Sequence, residues 1–152
     1  MDIAVKLREE GYKVTPQRLA IFNCLEGKRL HPTAEHIYEE LRVLYPSMSL
    51  ATVYKTMEIF ARIGIIQILQ IGNDSHRYDV DVTPHAHIRC TVCNRVDDLM
   101  GIHLRDVDQE VAAMSQYQIM GRQLYFFGVC SECLKKSPIR NDLFKAKKVN
   151  LL

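Results

Sequence analysis

The chain has 152 residues, 47% of them hydrophobic and 25% charged, with 20 Lys/Arg against 18 Asp/Glu for a net charge of +2. This is the composition of a globular intracellular protein, either one domain or two small ones. No run of eighteen apolar residues occurs and Met1-Asp2-Ile3-Ala4-Val5-Lys6 is not a basic segment followed by an apolar run, so the expectation is a cytoplasmic protein without a membrane segment or secretion signal.

Asp2 caps a first helix that stops before Gly11. Thr15-Pro16-Gln17 places a cap and an N1 proline before Leu19, Ile21, Phe22 and Leu25, with Gly27 as the stop. Cys24 lies on the apolar face of that helix and reads as core packing. Thr33 caps a third helix in which Ile37, Tyr38, Leu41 and Leu44 recur until Pro46. Ser49 caps a fourth, Leu50 to Ile63, with Val53, Met57 and Phe60 on its buried stripe and Gly64 closing it. Ile65 to Ile71, the turn Gly72-Asn73-Asp74, and Ser75 to Val80 then predict a two-stranded hairpin.

Three helices leading to a fourth, followed by a hairpin, is the order of a winged helix, whose last helix enters the DNA major groove while the hairpin lies alongside. Ser49, Thr52, Tyr54 and Lys55 at the front of the fourth helix are the candidate DNA contacts, with Arg18, Arg62 and Arg77 as candidates for phosphate. Residues 1–80 hold ten Lys/Arg and ten Asp/Glu, so binding double-stranded DNA rests on how charge is distributed, not on a net excess.

The pattern changes near Thr83-Pro84. His87 to Val92 alternates like a strand, turns at Cys90-x-x-Cys93 and returns through Val96 to Leu99. A helix is expected from about Leu104 to Met114, with Val107 and Val111 on one face. Two further strands, Tyr117 to Ile119 and Leu124 to Val129, lead to Cys130-x-x-Cys133. The two cysteine pairs predict one closed four-thiolate Zn2+ site, one ion per chain, which is structural because no coordination position stays open. Two disulfides, or a thiol redox protein using Cys-x-x-Cys, are the alternatives. A strand-rich unit with an apolar sheet edge invites self-pairing and hence a homodimer.

Nitrogen and oxygen donors suggest a second site. His85-x-His87 precedes the first cysteine pair, Asp98 follows it, Asp79 ends the wing and His31 precedes the third helix. Imidazole with carboxylate suits Fe2+, Mn2+ or Zn2+ and leaves positions open. A metal held by His31, Asp79, His85, His87 and Asp98 would fix the angle between the two halves. Asp97 is the neighbour that competes with Asp98, while His36, His76 and His103 read as surface histidines.

Thr15-Pro16-Gln17-Arg18, His31-Pro32-Thr33-Ala34, Ser49-Leu50-Ala51-Thr52-Val53-Tyr54-Lys55, His85-x-His87 and both cysteine pairs, in this order over residues 10–135, resemble the ferric uptake regulator family of metal-dependent transcription factors. The resemblance implies an α+β protein: an N-terminal winged-helix DNA-binding domain (1–82), a small α/β dimerisation domain with the four-cysteine zinc site (83–137), and a basic C-terminal tail (138–152). It implies a dimeric repressor, not an enzyme. The three histidines and two aspartates match the peroxide-responsive branch, where bound Fe2+ reacts with peroxide and a ligand histidine, here His31 or His85, is oxidised, whereas Mn2+ leaves the site insensitive. Iron-sensing members tend to carry glutamate where Asp79 and Asp98 stand, and an iron- or other metal-responsive uptake regulator is the alternative within the family. Histidines that many members carry shortly before the third cysteine are absent at Met120-Gly121-Arg122-Gln123, which argues against a further site built on them.

Overall fold

The computed structural model describes residues 2–26, 31–71, 76–102 and 107–136. The first half is helical: α1 Ile3–Glu9, α2 Pro16–Glu26, α3 Ala34–Leu41 and α4 Leu50–Arg62. Each begins where a side chain supplies the acceptor that the first N–H groups lack. Asp2 accepts from Ala4 and Val5, Thr15 from Arg18, Thr33 from His36 and Ser49 from Thr52. His36 completes a capping box, its ring accepting the Thr33 N–H, so this exposed histidine has a local structural use. Gly64 closes α4 at φ +70°, a conformation that favours glycine.

The apolar stripes of the four helices meet in one core. Leu7, Ile21, Ile37, Val53, Met57 and Phe60 are almost wholly buried, and Phe22 meets Phe60 edge to face with centroids 6.0 Å apart. Cys24 belongs to this core. The repeat expected to carry α3 on through Leu44 is not realised. Leu41 O accepts from both Leu44 and Tyr45, the chain turns, and Leu44 is left 75% exposed.

A short antiparallel pair follows, β1 Gln67–Leu69 and β2 Arg77–Asp79, with Gln67 opposite Asp79 and Ile68 opposite Tyr78. It is narrower than the expected hairpin, and its expected turn, Gly72-Asn73-Asp74, lies outside the described residues. Tyr78 packs into the helical core, and its N–H donates to Pro32 O.

The second half is a three-stranded sheet of order β4-β3-β5: β3 Ala86–Cys90, β4 Val96–Leu99 and β5 Leu124–Gly128. β3 runs antiparallel to β4, with His87 opposite Asp98, and parallel to β5, with His87 opposite Tyr125. Leu69, Ile71 and Val96 form a small core with Tyr125, so the wing end packs directly on this sheet. Helix α5 spans Val107–Ser115; the expected start at Leu104 and His103 lie outside the described residues, as do Gly27 and the tail from residue 137. The expected strand Tyr117 to Ile119 does not form: the segment has no sheet partner among the described residues and Tyr117 is 75% exposed. Helix α6, Ser131–Lys136, is too short to show in the sequence pattern and carries Cys133.

Candidate metal centres

Two clusters of metal-ligating side chains stand on this frame. The first is Cys90, Cys93, Cys130 and Cys133, whose sulfurs all lie within 4.8 Å of one another. β3 ends at Cys90, the following turn returns Cys93 to it, and the parallel neighbour β5 delivers Cys130 and the start of α6 beside them. Cys90 Sγ accepts the N–H of Cys130 at 3.3 Å and of Cys93 at 3.5 Å, so one sulfur organises both turns. Burial alone would raise the Cys90 thiol, but the N–H groups of Cys130, Cys93 and Val92 bring it down to about 6. Cys133 is pushed up to about 12, chiefly by its hydrogen bond with Cys130 and by burial.

All four thiols are free, and Cys93 Sγ stands 3.8 Å from Cys130 Sγ. That is far longer than a disulfide bond and close to the edge of a tetrahedron built on Zn–S bonds of about 2.3 Å. The donor set therefore fits a closed zinc site, and no disulfide joins any two of the four cysteines in this structure.

The second cluster is His31, Asp79, His85, His87 and Asp98, with its five donor atoms again within 4.8 Å of one another. His31 is held by the loop that caps α3, Asp79 ends β2, His85 and His87 fall on one face at the start of β3, and Asp98 lies opposite His87 on β4. Asp98 Oδ1 is 2.8 Å from His31 Nε2, 3.1 Å from His85 Nε2 and 3.5 Å from His87 Nε2. Asp79 Oδ2 is 3.3 Å from both His85 Nε2 and His87 Nε2, and its Oδ1 is 3.7 Å from His31 Nε2. Asp97, the competing neighbour, instead pairs with Arg95 at 2.9 Å.

The far sides of two rings decide what their near sides offer. His31 Nδ1 lies 3.3 Å from Val96 O and His85 Nδ1 lies 2.8 Å from Thr83 O; a carbonyl accepts only, so Nδ1 carries the proton and the Nε2 lone pair faces inward. Inward-facing lone pairs and two carboxylates make a collection of acceptors, which repel unless protons or a cation lie among them. In the metal-free chain protons do this. Burial, the largest influence on His31, lowers it, yet the hydrogen bond with Asp79 and the charges of Asp98 and Asp79 leave it raised. His85 is likewise raised, burial being outweighed by Thr83 O, Asp98 and Asp79. Against burial, His31 and His87 hold Asp79 well below the usual carboxylate range. Separations of 2.8–3.7 Å between donors also match neighbouring ligands about 2.0–2.2 Å from one ion. A cavity of 160 Å³ lined by His31, Tyr78, Asp79, Asp81 and Asp98 opens on the cluster and leaves room for a small molecule.

Gln67 belongs to this centre although the sequence does not single it out. Its Nε2 donates to Asp79 Oδ2 at 2.9 Å and to Asp81 O at 2.5 Å, while Asp79 Oδ1 accepts the Asp81 N–H at 2.9 Å. The signal that finds it is the hairpin register, which sets Gln67 opposite Asp79.

The candidate DNA contacts lie elsewhere, on and around α4. Lys55 is exposed and Thr52 half-buried; Ser49 is occupied as the cap, and Tyr54 donates its hydroxyl to Glu35 on α3. Arg62 is exposed, and Arg18 donates to Lys13 O. Arg77 departs from the expectation of a phosphate contact: it points inward to the carbonyls of His31 and Asn94.

The sequence profile of the ferric uptake regulator family matches residues 9–127. The peroxide-responsive repressor PerR of Staphylococcus aureus is 35% identical over 130 residues, 86% of this chain and 88% of that protein. Among solved structures, the Vibrio cholerae ferric uptake regulator Fur is similar with a TM-score of 0.70 and 28% identity, covering 85% of this chain and all of that one. PerR from Streptococcus pyogenes, described in terms of peroxide sensing and gene regulation, matches with a TM-score of 0.51 and 29% identity over 87% of this chain and 90% of its own.

Proposed function

The chain belongs to the ferric uptake regulator family, and from that premise we propose that it is a homodimeric repressor of operator DNA that senses peroxide through oxidation of a ligand histidine. Zn2+ held by Cys90, Cys93, Cys130 and Cys133 fixes the second domain, and Fe2+ or Mn2+ held by His31, Asp79, His85, His87 and Asp98 fixes its angle to the first. The observation that carries this reading is the convergence of five ligand atoms from both halves of the chain on one point beside a cavity.

Fe2+ held by these residues would supply one-electron chemistry toward peroxide that Mn2+ would not, and the imidazoles of His31 and His85, at the centre, are the groups that would take up one peroxide oxygen while the other leaves as water. The chain's own residues convert that chemical change into a structural one. Val96 O and Thr83 O hold the two rings by Nδ1, so each offers only Nε2 inward. Altering either ring removes one of the three nitrogen donors that stand between Asp79 and Asp98 and so weakens the hold on the two carboxylates. The two halves then separate, and α4 of one protomer loses its spacing from α4 of the other. Thr52, Tyr54 and Lys55, with Ser49 and Arg18 beside them, form the DNA-facing front of α4 in this reading.

The test uses the full chain loaded with Fe2+ or with Mn2+ and treated with micromolar peroxide. The Fe2+ form should gain one oxygen atom on the peptide carrying His31 or His85 and release palindromic operator DNA in a gel shift; the Mn2+ form should do neither. Equal modification of both forms, or of neither, overturns peroxide sensing and leaves a metal-uptake regulator. DNA binding that ignores the metal overturns metal dependence as well.

A further inference from the structure

Two arginines cross between the domains in opposite directions and end on the same residue. Arg77 on β2 donates from Nη1 to His31 O at 3.0 Å and from Nη2 to Asn94 O at 3.1 Å. Arg89 on β3 donates from Nη1 to Ile71 O at 3.1 Å and from Nη2 to Asn94 Oδ1 at 2.6 Å. Asn94 directly follows Cys93 and stands at φ +61°, the left-handed region that asparagine tolerates better than most residues. Its N–H donates to Cys90 O at 2.9 Å, and Cys90 N–H donates to Arg95 O at 2.8 Å. The residue receiving both arginines is thus part of the turn that folds the first cysteine pair.

The Arg77 contacts also bear on the second centre. The carbonyl it grips belongs to His31, whose ring is anchored through Nδ1 to Val96 O, two residues beyond Asn94. The loop carrying His31 is therefore docked at two points on the stretch 94–96. A guanidinium is a rigid fork, and when its two arms take two carbonyls it sets the distance between them, which a lysine ammonium does not do.

We propose that Arg77 is a positioning residue for the His/Asp centre: by bridging His31 O to Asn94 O it makes the placement of His31 depend on the folded cysteine turn. Arg89 closes the same clasp from the other side. The four-thiolate cluster then sets the affinity of its neighbour without sharing a ligand with it, and Arg77 acts on DNA only through the metal. This rests on reading both clusters as metal sites.

The test compares full-chain Arg77→Met and Arg77→Lys with wild type. Mn2+ affinity should weaken about 10–100-fold in both variants, the size usual for loss of a group that orients a ligand, with one zinc per chain retained. Asn94→Gly, which keeps the turn and removes the Arg89 acceptor, should weaken Mn2+ binding in the same direction. Unchanged Mn2+ affinity in Arg77→Met overturns the proposal. If DNA binding then falls, with a smaller salt slope that Arg77→Lys restores, Arg77 is a phosphate contact instead. Should wild type bind no divalent ion beyond zinc, the metal reading fails by itself. The clasp is then judged by amide hydrogen exchange at residues 31–34 and 94–96, where unchanged protection in Arg77→Met overturns it.

Discussion

Asp98 Oδ1 lies 2.8 Å from His31 Nε2, joining the loop before α3 to β4 of the sheet, while the adjacent Asp97 turns away to Arg95. Neighbours on a strand face opposite ways, so only one of the two can serve the centre. Asp98→Ala should abolish Mn2+-stimulated operator binding, and Asp97→Ala should leave it within about twofold of wild type, a change of under about 0.5 kcal/mol as for an exposed pair. A Mn2+ titration of the gel shift for both variants decides it, and the reverse ranking would move the ligand to Asp97.

Gln67→Leu keeps the bulk of the side chain but removes the hydrogen bonds that Nε2 donates to Asp79 Oδ2 and to Asp81 O. Regulatory-metal affinity should fall about 10–100-fold with zinc content unchanged. Calorimetric titration with Mn2+ measures this, and wild-type affinity would mean that the Asp81 N–H alone suffices to hold the carboxylate.

The pH dependence follows from the protons that hold the metal-free centre together. Because His31 and His85 are raised in the folded chain, their stabilisation is full below the unfolded imidazole value of about 6.5 and is lost as pH rises through their folded values. Asp79 acts oppositely: its share is present above the ordinary carboxylate value and is lost only in stronger acid. The zinc-retaining chain stripped of its second ion should therefore have a Tm that falls from about pH 6 to about pH 8. His31→Ala should flatten that slope. Mn2+ affinity should rise over the same interval, since binding displaces the protons. A wild-type Tm that does not change across the interval counts against the arrangement.

Zinc removal should unfold the second half first. Its apolar core is small, Leu69, Ile71 and Val96 with Tyr125, and α5 has no buried residue among those described. Loss of the ion should lower Tm by on the order of 10 °C or more. Cys90→Ser should reproduce the effect, while circular dichroism still reports the four N-terminal helices. Retention of near-native thermal stability without zinc would mean that packing alone holds the sheet.

Much of this is legible in the sequence because it depends on local chemistry. The caps Asp2, Thr15, Thr33 and Ser49 each announce a helix start, and the winged-helix order follows from them. The candidate ligand positions are less equal. The cysteine spacing is local, and so is His85-x-His87; His31 and Asp79 are also named in the sequence, but no local spacing ties them to that pair, which tertiary placement sets beside them. Leu44 misleads because periodicity does not mark where a helix turns, and Tyr117 because a β-prone tripeptide needs a neighbour to pair with. Gln67, Arg89 and Asn94 stay hidden, and Arg77 is read as a phosphate contact, because their partners are mostly backbone carbonyls and carboxylates brought close by strand register, which composition does not encode.

Asp79 and Tyr78 are consecutive residues of a three-residue strand, one facing the His/Asp centre and the other sunk in the helical core. A candidate ligand and a core residue are thus separated by a single peptide plane, which is stiff. On the proposed reading, a signal from this centre to the helical half needs no long relay of side chains: a backbone shift at Asp79 is passed directly to Tyr78, which already sits in that half's core.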